Sequence, residues 1–179
     1  SHMAIFQAMA EGKIKGFFAW GQNPAVGGPS TIAAKKALEN LEWMVGVDLF
    51  ETETVSFWKR PGVNPADIKT EVFLLPTAFS YEKEGTVANS SRWIQWRWKA
   101  VDPPGEAKSD LWIADRLMKA IKKEYQSGGK FPEPILNITW DYPELPEHHG
   151  EPDIMAVARE MNGYNVADGS LLDSFAKLK

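Results

Sequence analysis

Ile14 to Trp20 is a short apolar run rich in aromatic residues and stopped by Gly21, a pattern that predicts a buried strand. The next stretch, Gly21-Gln22-Asn23-Pro24-Ala25-Val26-Gly27-Gly28-Pro29, is built of turn formers, and Ser30 or Thr31 stands where a helix needs a capping oxygen. From about Ile32 to Leu41 the spacing becomes helical, with Ala34, Ala37, Leu38 and Leu41 on one face and Lys35 and Glu39 on the other. Trp43 to Leu49 reads as a second buried strand, and Glu71 to Pro76 as a third that ends on a proline. Strand, loop, helix and strand in such a short span make a βαβ unit, so the expected class is α/β with a mostly parallel sheet flanked by helices.

The pattern changes after Pro76. Thr77 to Asn89 reads as a long polar loop. Arg92 to Val101 alternates, with Ile94, Trp96, Trp98 and Ala100 on one side and Trp93, Gln95, Arg97 and Lys99 on the other, as in a half-buried strand. Asp102-Pro103-Pro104-Gly105 breaks the chain, and Ser109 caps the longest predicted helix, running to about Tyr125 with a stripe of Leu111, Leu117, Met118, Ile121 and Tyr125. Beyond Ser127-Gly128-Gly129, a strand is expected at Ile135 to Trp140 and a proline-rich acidic stretch from Pro143 to Pro152. Helices are expected at Asp153 to Met161 and Leu171 to Lys179.

Composition narrows the class of function. The chain has 179 residues, 44% of them hydrophobic, which is enough for one ordinary core. A net charge of -4, from 20 basic against 24 acidic residues, argues against a nucleic acid or anionic membrane partner. No cysteine is present, which removes disulfides, thiolate metal sites, iron–sulfur ligation and a cysteine nucleophile from this stretch of chain. Ser1-His2-Met3 reads as the remnant of a cleaved tag, so the natural segment is expected to begin near Ala4, without a signal-peptide pattern.

Ligands of parallel α/β sheets bind beyond the carboxyl ends of the strands, beside a reversal of strand order. The first predicted strand delivers Gln22 and Asn23 to that edge, the second delivers Asp48 and then Thr52, and the third opens the loop carrying Lys83. The combination suits a nucleotide: a helix start behind a glycine-rich turn attracts phosphate, lysine meets it as a point charge, and a carboxylate accepts paired N–H donors of guanine or a ribose hydroxyl. Neither Gly-x-Gly-x-x-Gly nor a P-loop lysine is present. Asn23 before a proline also suits a plain turn, and Asp48 a cap. Other clusters carry less. Trp93, Trp96 and Trp98 beside Arg92, Arg97 and Lys99 offer a stacking platform, but their alternation is equally what packing demands. His148 and His149 among Glu144, Glu147 and Glu151 read as a solvated loop rather than a metal site, and the pairs Glu51 with Glu53 and Glu82 with Glu84 have no visible partner machinery.

Three segments together resemble a known family. Gly21 through Pro29, Val47-Asp48-Leu49-Phe50-Glu51-Thr52-Glu53-Thr54, and Glu82-Lys83-Glu84-Gly85-Thr86-Val87-Ala88-Asn89-Ser90-Ser91-Arg92 look, in order and spacing, like the molybdopterin oxidoreductases of the dimethyl sulfoxide reductase family. With Trp93 to Arg97, Lys99 to Gly105 and Ile135 through Tyr164 included, the chain is similar to formate dehydrogenase large (alpha, catalytic) subunits of the periplasmic, membrane-linked type. The resemblance implies a dinucleotide-binding-like three-layer sandwich, an internal domain that holds the guanosine end of one of two molybdopterin guanine dinucleotides (bis-MGD). By resemblance Asn23 lines the cofactor, Val47, Asp48 and Thr52 hold the guanosine, Lys83 and Asp110 add polar contacts, Gly21, Gln22 and Pro24 shape the turn, and Arg92 lies nearby.

The same resemblance implies an enzyme that oxidises formate to carbon dioxide at molybdenum or tungsten and passes electrons to an iron–sulfur subunit in the periplasm. This stretch lacks the family's metal-ligating and cluster-ligating cysteines, so no catalytic or metal residue is expected in it. It is expected to be a fragment, with residues 4–130 as the cofactor-binding domain and 131–179 as an extension toward the next domain, partnered by the rest of its parent and touching neither nucleic acid nor membrane. Two alternatives stand beside this reading: a self-sufficient nucleotide-binding regulatory domain, and a Trp-rich module for protein or carbohydrate.

Overall fold

The computed structural model describes residues 2–90, 93–146 and 150–172. The chain divides into two compact units, Ser1–Thr77 and Ala78–Lys179. Residue 130, where the functional boundary is expected, lies inside the second unit.

The first unit opens with a helix that the sequence reading did not predict, α1 (His2–Ala10). Phe6 and Met9, three residues apart, put its buried side into the core. Gly12 ends it at φ +68°, with Gly12 N–H on the Met9 carbonyl at 2.9 Å and Lys13 N–H on that of Ala8 at 2.9 Å, a Schellman closure. Then come β1 (Gly16–Trp20), the single turn α2 (Pro24–Gly27), α3 (Thr31–Leu38), β2 (Trp43–Asp48) and β3 (Glu71–Pro76). Ser30 caps α3 by accepting from Ala33 N–H at 3.3 Å, as the sequence predicts. Past the other end of α3, the buried Thr70 hydroxyl lies 2.9 Å from both the Leu38 and the Leu41 carbonyl oxygens.

The three strands are parallel and ordered β1-β2-β3, with Trp43 opposite both Gly16 and Glu71. They follow chain order, so no reversal of strand order lies among the described residues. The register puts Phe17, Ala19, Met44, Gly46 and Val72 on one face. Ala34, Ala37 and Leu38 of α3, Phe6 and Met9 of α1, and Val55 and Phe57 join that face in one core. The opposite face carries Phe18, Trp43, Phe73 and Leu75, all partly exposed.

The second unit contains β4 (Gly85–Ala88), β5 (Ile94–Arg97), α4 (Asp110–Gln126), α5 (Glu133–Leu136), β6 (Glu144–Leu145), β7 (Glu151–Pro152) and α6 (Ile154–Met161). Here the sequence reading needs correction. The strand expected over Arg92 to Val101 is only β5, paired antiparallel with a β4 that lies in the supposed loop of residues 77–89. A two-stranded ribbon has no need of a long apolar run, so β4 left little signal.

The strand expected at Ile135 to Trp140 is replaced by α5 and a loop. Pro134 lies in the first turn of α5, where its missing N–H costs nothing, and Leu136 N–H reaches the Pro132 carbonyl at 2.9 Å. Asp153 caps α6 by accepting from Met155 N–H and Ala156 N–H at 2.9 and 3.0 Å. Of the helix expected at Leu171 to Lys179, residues 173–179 lie outside the described residues, and Leu171 forms a β-bridge with Tyr164. The start and length of α4 agree with prediction, and Ser109 accepts from Trp112 N–H at 2.9 Å. Its most buried residues, Ile113 and Asp115, were absent from the predicted stripe. Asp115 is buried because it accepts from Trp140 Nε1 at 3.0 Å and sits 2.8 Å from Lys119 Nζ.

Candidate functional site

The carboxyl ends of β1 and β2 are joined by a backbone bond, Gly21 N–H to the Val47 carbonyl at 2.8 Å. Gly21 has φ +58°, and a Cβ placed there would meet nothing within 4 Å. Glycine thus permits a left-handed turn over open space, where another molecule can approach the backbone. Gln22 is exposed, and Val47 has its side chain wholly buried with its carbonyl engaged by Gly21. Asp48 closes β2 half-buried. Its Oδ1 accepts from Leu49 N–H at 2.8 Å, and its backbone carbonyl receives Thr77 N–H at 3.1 Å. Oδ2 carries no hydrogen bond among the described residues, which leaves the carboxylate an acceptor at the sheet edge.

Asn23 precedes Pro24 at the start of α2, as a turn-and-cap reading requires, yet its side chain makes no cap bond. Instead Nδ2 donates to Glu53 Oε2 at 2.6 Å, and Oδ1 accepts from the Thr54 hydroxyl at 2.7 Å. Thr54 Oγ1 in turn accepts from Ala25 N–H at 3.0 Å. The Asn23 amide holds the Glu53 carboxyl below the usual carboxylate range. Thr52 is half-buried, and its carbonyl takes both Ser56 N–H at 3.0 Å and Ser56 Oγ–H at 2.8 Å, which fixes the turn after β2. Glu51 and Glu53, neighbours in sequence, therefore have separate partners, since Glu51 pairs with Lys59.

Lys83 and Asp110 belong to the second unit. They form an ion pair with each other, Asp110 at the first residue of α4, where the helix dipole favours a carboxylate. Both line a cavity of about 240 Å³ together with Trp96, Leu111, Val157 and Met161. Trp96 Nε1 is buried without a hydrogen-bond partner among the described residues, while Trp93 and Trp98 are exposed. The sequence-predicted residues thus fall into two sets: Gly21, Gln22, Asn23, Val47, Asp48 and Thr52 in one unit, Lys83 and Asp110 in the other. Arg92, Glu147, His148 and His149 lie outside the described residues. Glu144 pairs with Arg116 and Lys119, which hold its carboxyl low, and Glu151 accepts from the Ser109 hydroxyl.

Sequence reading missed Glu53 and Thr54 as members of the site. They bond to residues about thirty positions upstream, and no local period reports that. The first set of groups can bind and orient a polar ligand; it contains no nucleophile-and-base pair.

A three-stranded parallel sheet with helices packed on one face is an α/β architecture. The molybdopterin oxidoreductase family model matches residues 2–120, and the chain belongs to that family. It is 42% identical over 169 residues to a formate dehydrogenase alpha subunit from Megalodesulfovibrio gigas, covering 94% of this chain and 16% of that protein. It is 40% identical to the nitrate-inducible formate dehydrogenase major subunit of Escherichia coli K12, covering 97% of this chain and 18% of that protein. The chain therefore spans about a sixth of the length of these relatives. The solved acetylene hydratase of Pelobacter acetylenicus shares the fold, with a TM-score of 0.55 and 22% identity over 84% of this chain and 20% of that one.

Proposed function

We propose that the chain is part of a formate dehydrogenase catalytic subunit and that its first unit holds the guanosine end of a molybdopterin guanine dinucleotide. The family implies a molybdopterin cofactor, and the donor set fits the dinucleotide form. Asp48 offers an acceptor to the adjacent N1–H and N2–H donors of guanine, Gly21 leaves room over its backbone, and Asn23 presents a fixed amide. The observation that carries the reading is Asp48, held at the end of the central strand by its own Leu49 N–H with Oδ2 left to accept. Thr52 lies on the adjoining turn. Lys83 and Asp110 are paired with each other in the second unit.

When bound, the cofactor supplies a molybdenum or tungsten centre at which formate loses two electrons and a proton to become carbon dioxide. The residues of this chain bind and orient; the electrons leave through iron–sulfur groups carried elsewhere in the parent and by a partner subunit. Residues 4–130 serve as the cofactor domain and 131–179 as the extension toward its neighbour, with the parent in the periplasm.

The test is calorimetric titration of the chain with GMP and GDP, with an adenine nucleotide as control. Guanine-selective binding that weakens about tenfold or more in Asp48→Ala is expected, the size of a lost hydrogen bond to a charged group. Equal binding of adenine and guanine would favour a stand-alone nucleotide domain, and absence of binding would remove the guanosine reading from this chain.

A further inference from the structure

An asparagine that starts a helical turn ordinarily spends its side-chain oxygen on the backbone N–H two or three residues on. Asn23 does not: Thr54, about thirty residues away in sequence, has its hydroxyl on Ala25 N–H instead, at 3.0 Å. The same hydroxyl donates to Asn23 Oδ1 at 2.7 Å, and the preceding residue, Glu53, accepts from Asn23 Nδ2 at 2.6 Å. Two consecutive residues of the turn after β2 therefore grip both ends of one amide on the turn after β1. Thr54 is fully buried, so its bond with Ala25 N–H is made away from competing water, while the Asn23 Oδ1 bond is partly shielded and the Asn23–Glu53 bond is exposed. Only one Nδ2 proton of Asn23 is left for a further contact, and its direction is set by the grip.

We infer that Thr54 is a positioning residue: by supplying the cap bond that Asn23 would otherwise make, it keeps the Asn23 amide turned toward Glu53 and available to a ligand at the sheet edge. The ligand part of this inference rests on the guanosine reading above. The positioning part does not. Without the Thr54 hydroxyl, Ala25 N–H and Asn23 Oδ1 are left to satisfy each other, which turns the amide inward and away from Glu53. The groups acting on Glu53 are the Asn23 amide first, then its own backbone N–H, with slight desolvation opposing them and Lys35 a weaker cation at longer range.

The experiment follows Glu53 by carboxyl-carbon NMR titration, and GDP affinity by calorimetry, in the full chain and in Thr54→Val, Thr54→Ser and Asn23→Ala. Thr54→Val should move the Glu53 midpoint up toward the ordinary carboxylate value and weaken GDP roughly tenfold, as expected of coupled neighbours, while adding little to Asn23→Ala in the double variant. Thr54→Ser, which keeps the hydroxyl, should leave both readouts within about twofold of the parent chain.

A Thr54→Val chain that melts lower but keeps its Glu53 midpoint and GDP affinity would reduce Thr54 to a packing role and overturn the inference. If Thr54→Val does not fold, a shifted midpoint or weakened GDP in a folded Thr54→Ser chain overturns it equally. If the parent chain ignores GDP while the midpoint moves as described, the guanosine reading fails and the positioning role stands.

Discussion

Gly46 lies in the middle of the central strand, and a Cβ there would collide with Cγ1 of Val55, a buried side chain with little freedom to move. Gly16 lies on the neighbouring strand under the indole of Trp43, which is partly exposed and can swing aside. Gly46→Ala should therefore destabilise the chain by about 1–3 kcal/mol, as overpacking does, and Gly16→Ala by distinctly less; paired urea unfolding curves would show the order. Tyr142 makes a different prediction. Burial first, then its hydrogen bond to Glu160, pushes its phenol from 10.0 up to about 12. Its folded value is above the unfolded one, so this contribution is intact below about pH 10 and is lost as pH rises toward 12. The difference between ultraviolet titrations of the parent chain and Tyr142→Phe should be one phenol ionising near 12.

Helix α4 depends on a cap that does two jobs. The Ser109 hydroxyl accepts from Trp112 N–H and donates to Glu151, so Ser109→Ala removes both contacts, whereas Ser30→Ala removes a single exposed cap from α3. Ser109→Ala should cost about 1–2 kcal/mol and Ser30→Ala less, with faster amide exchange confined to the first turn of the helix concerned. The main course of β1, α3, β2, β3 and α4 is legible in sequence, because each has a full run of its own period and a visible stop or cap. The ends of β4, β5 and α5 are not: four residues hold about one helical turn, too short for a period to show. Ile135 to Trp140 looks like a strand by composition, and only the prolines before it tip its first residues into a helical turn.

On the scale of the molecule, several carboxyls held low by partners share one consequence. Glu11 (Lys13), Glu53 (Asn23) and Glu144 (Arg116, Lys119) each titrate below the ordinary 4.5 in the folded chain. Such groups contribute stability above the unfolded value and lose it as pH falls through the folded one, so the thermal midpoint should hold from neutrality to about pH 5 and decline below about 4. Circular dichroism melts across that range test it. The sheet of the first unit has α1 and α3 on one face and Phe18, Trp43, Phe73 and Leu75 partly exposed on the other. Alternation predicts that each strand has two faces; it does not say which face is covered.

Sequence alone determined the parallel βαβ course, the carboxyl edge that gathers Asn23, Asp48 and Thr52, and, by having no cysteine, the absence of thiolate chemistry from this stretch. These follow from local periodicity, strand direction and side-chain inventory. Tertiary structure decided that Thr54 and Glu53 grip Asn23, that Lys83 is paired with Asp110, and that Asp115 is buried against Trp140. Those pairings join residues about 25 to 31 positions apart, so they depend on how the chain returns on itself rather than on any local pattern of residues.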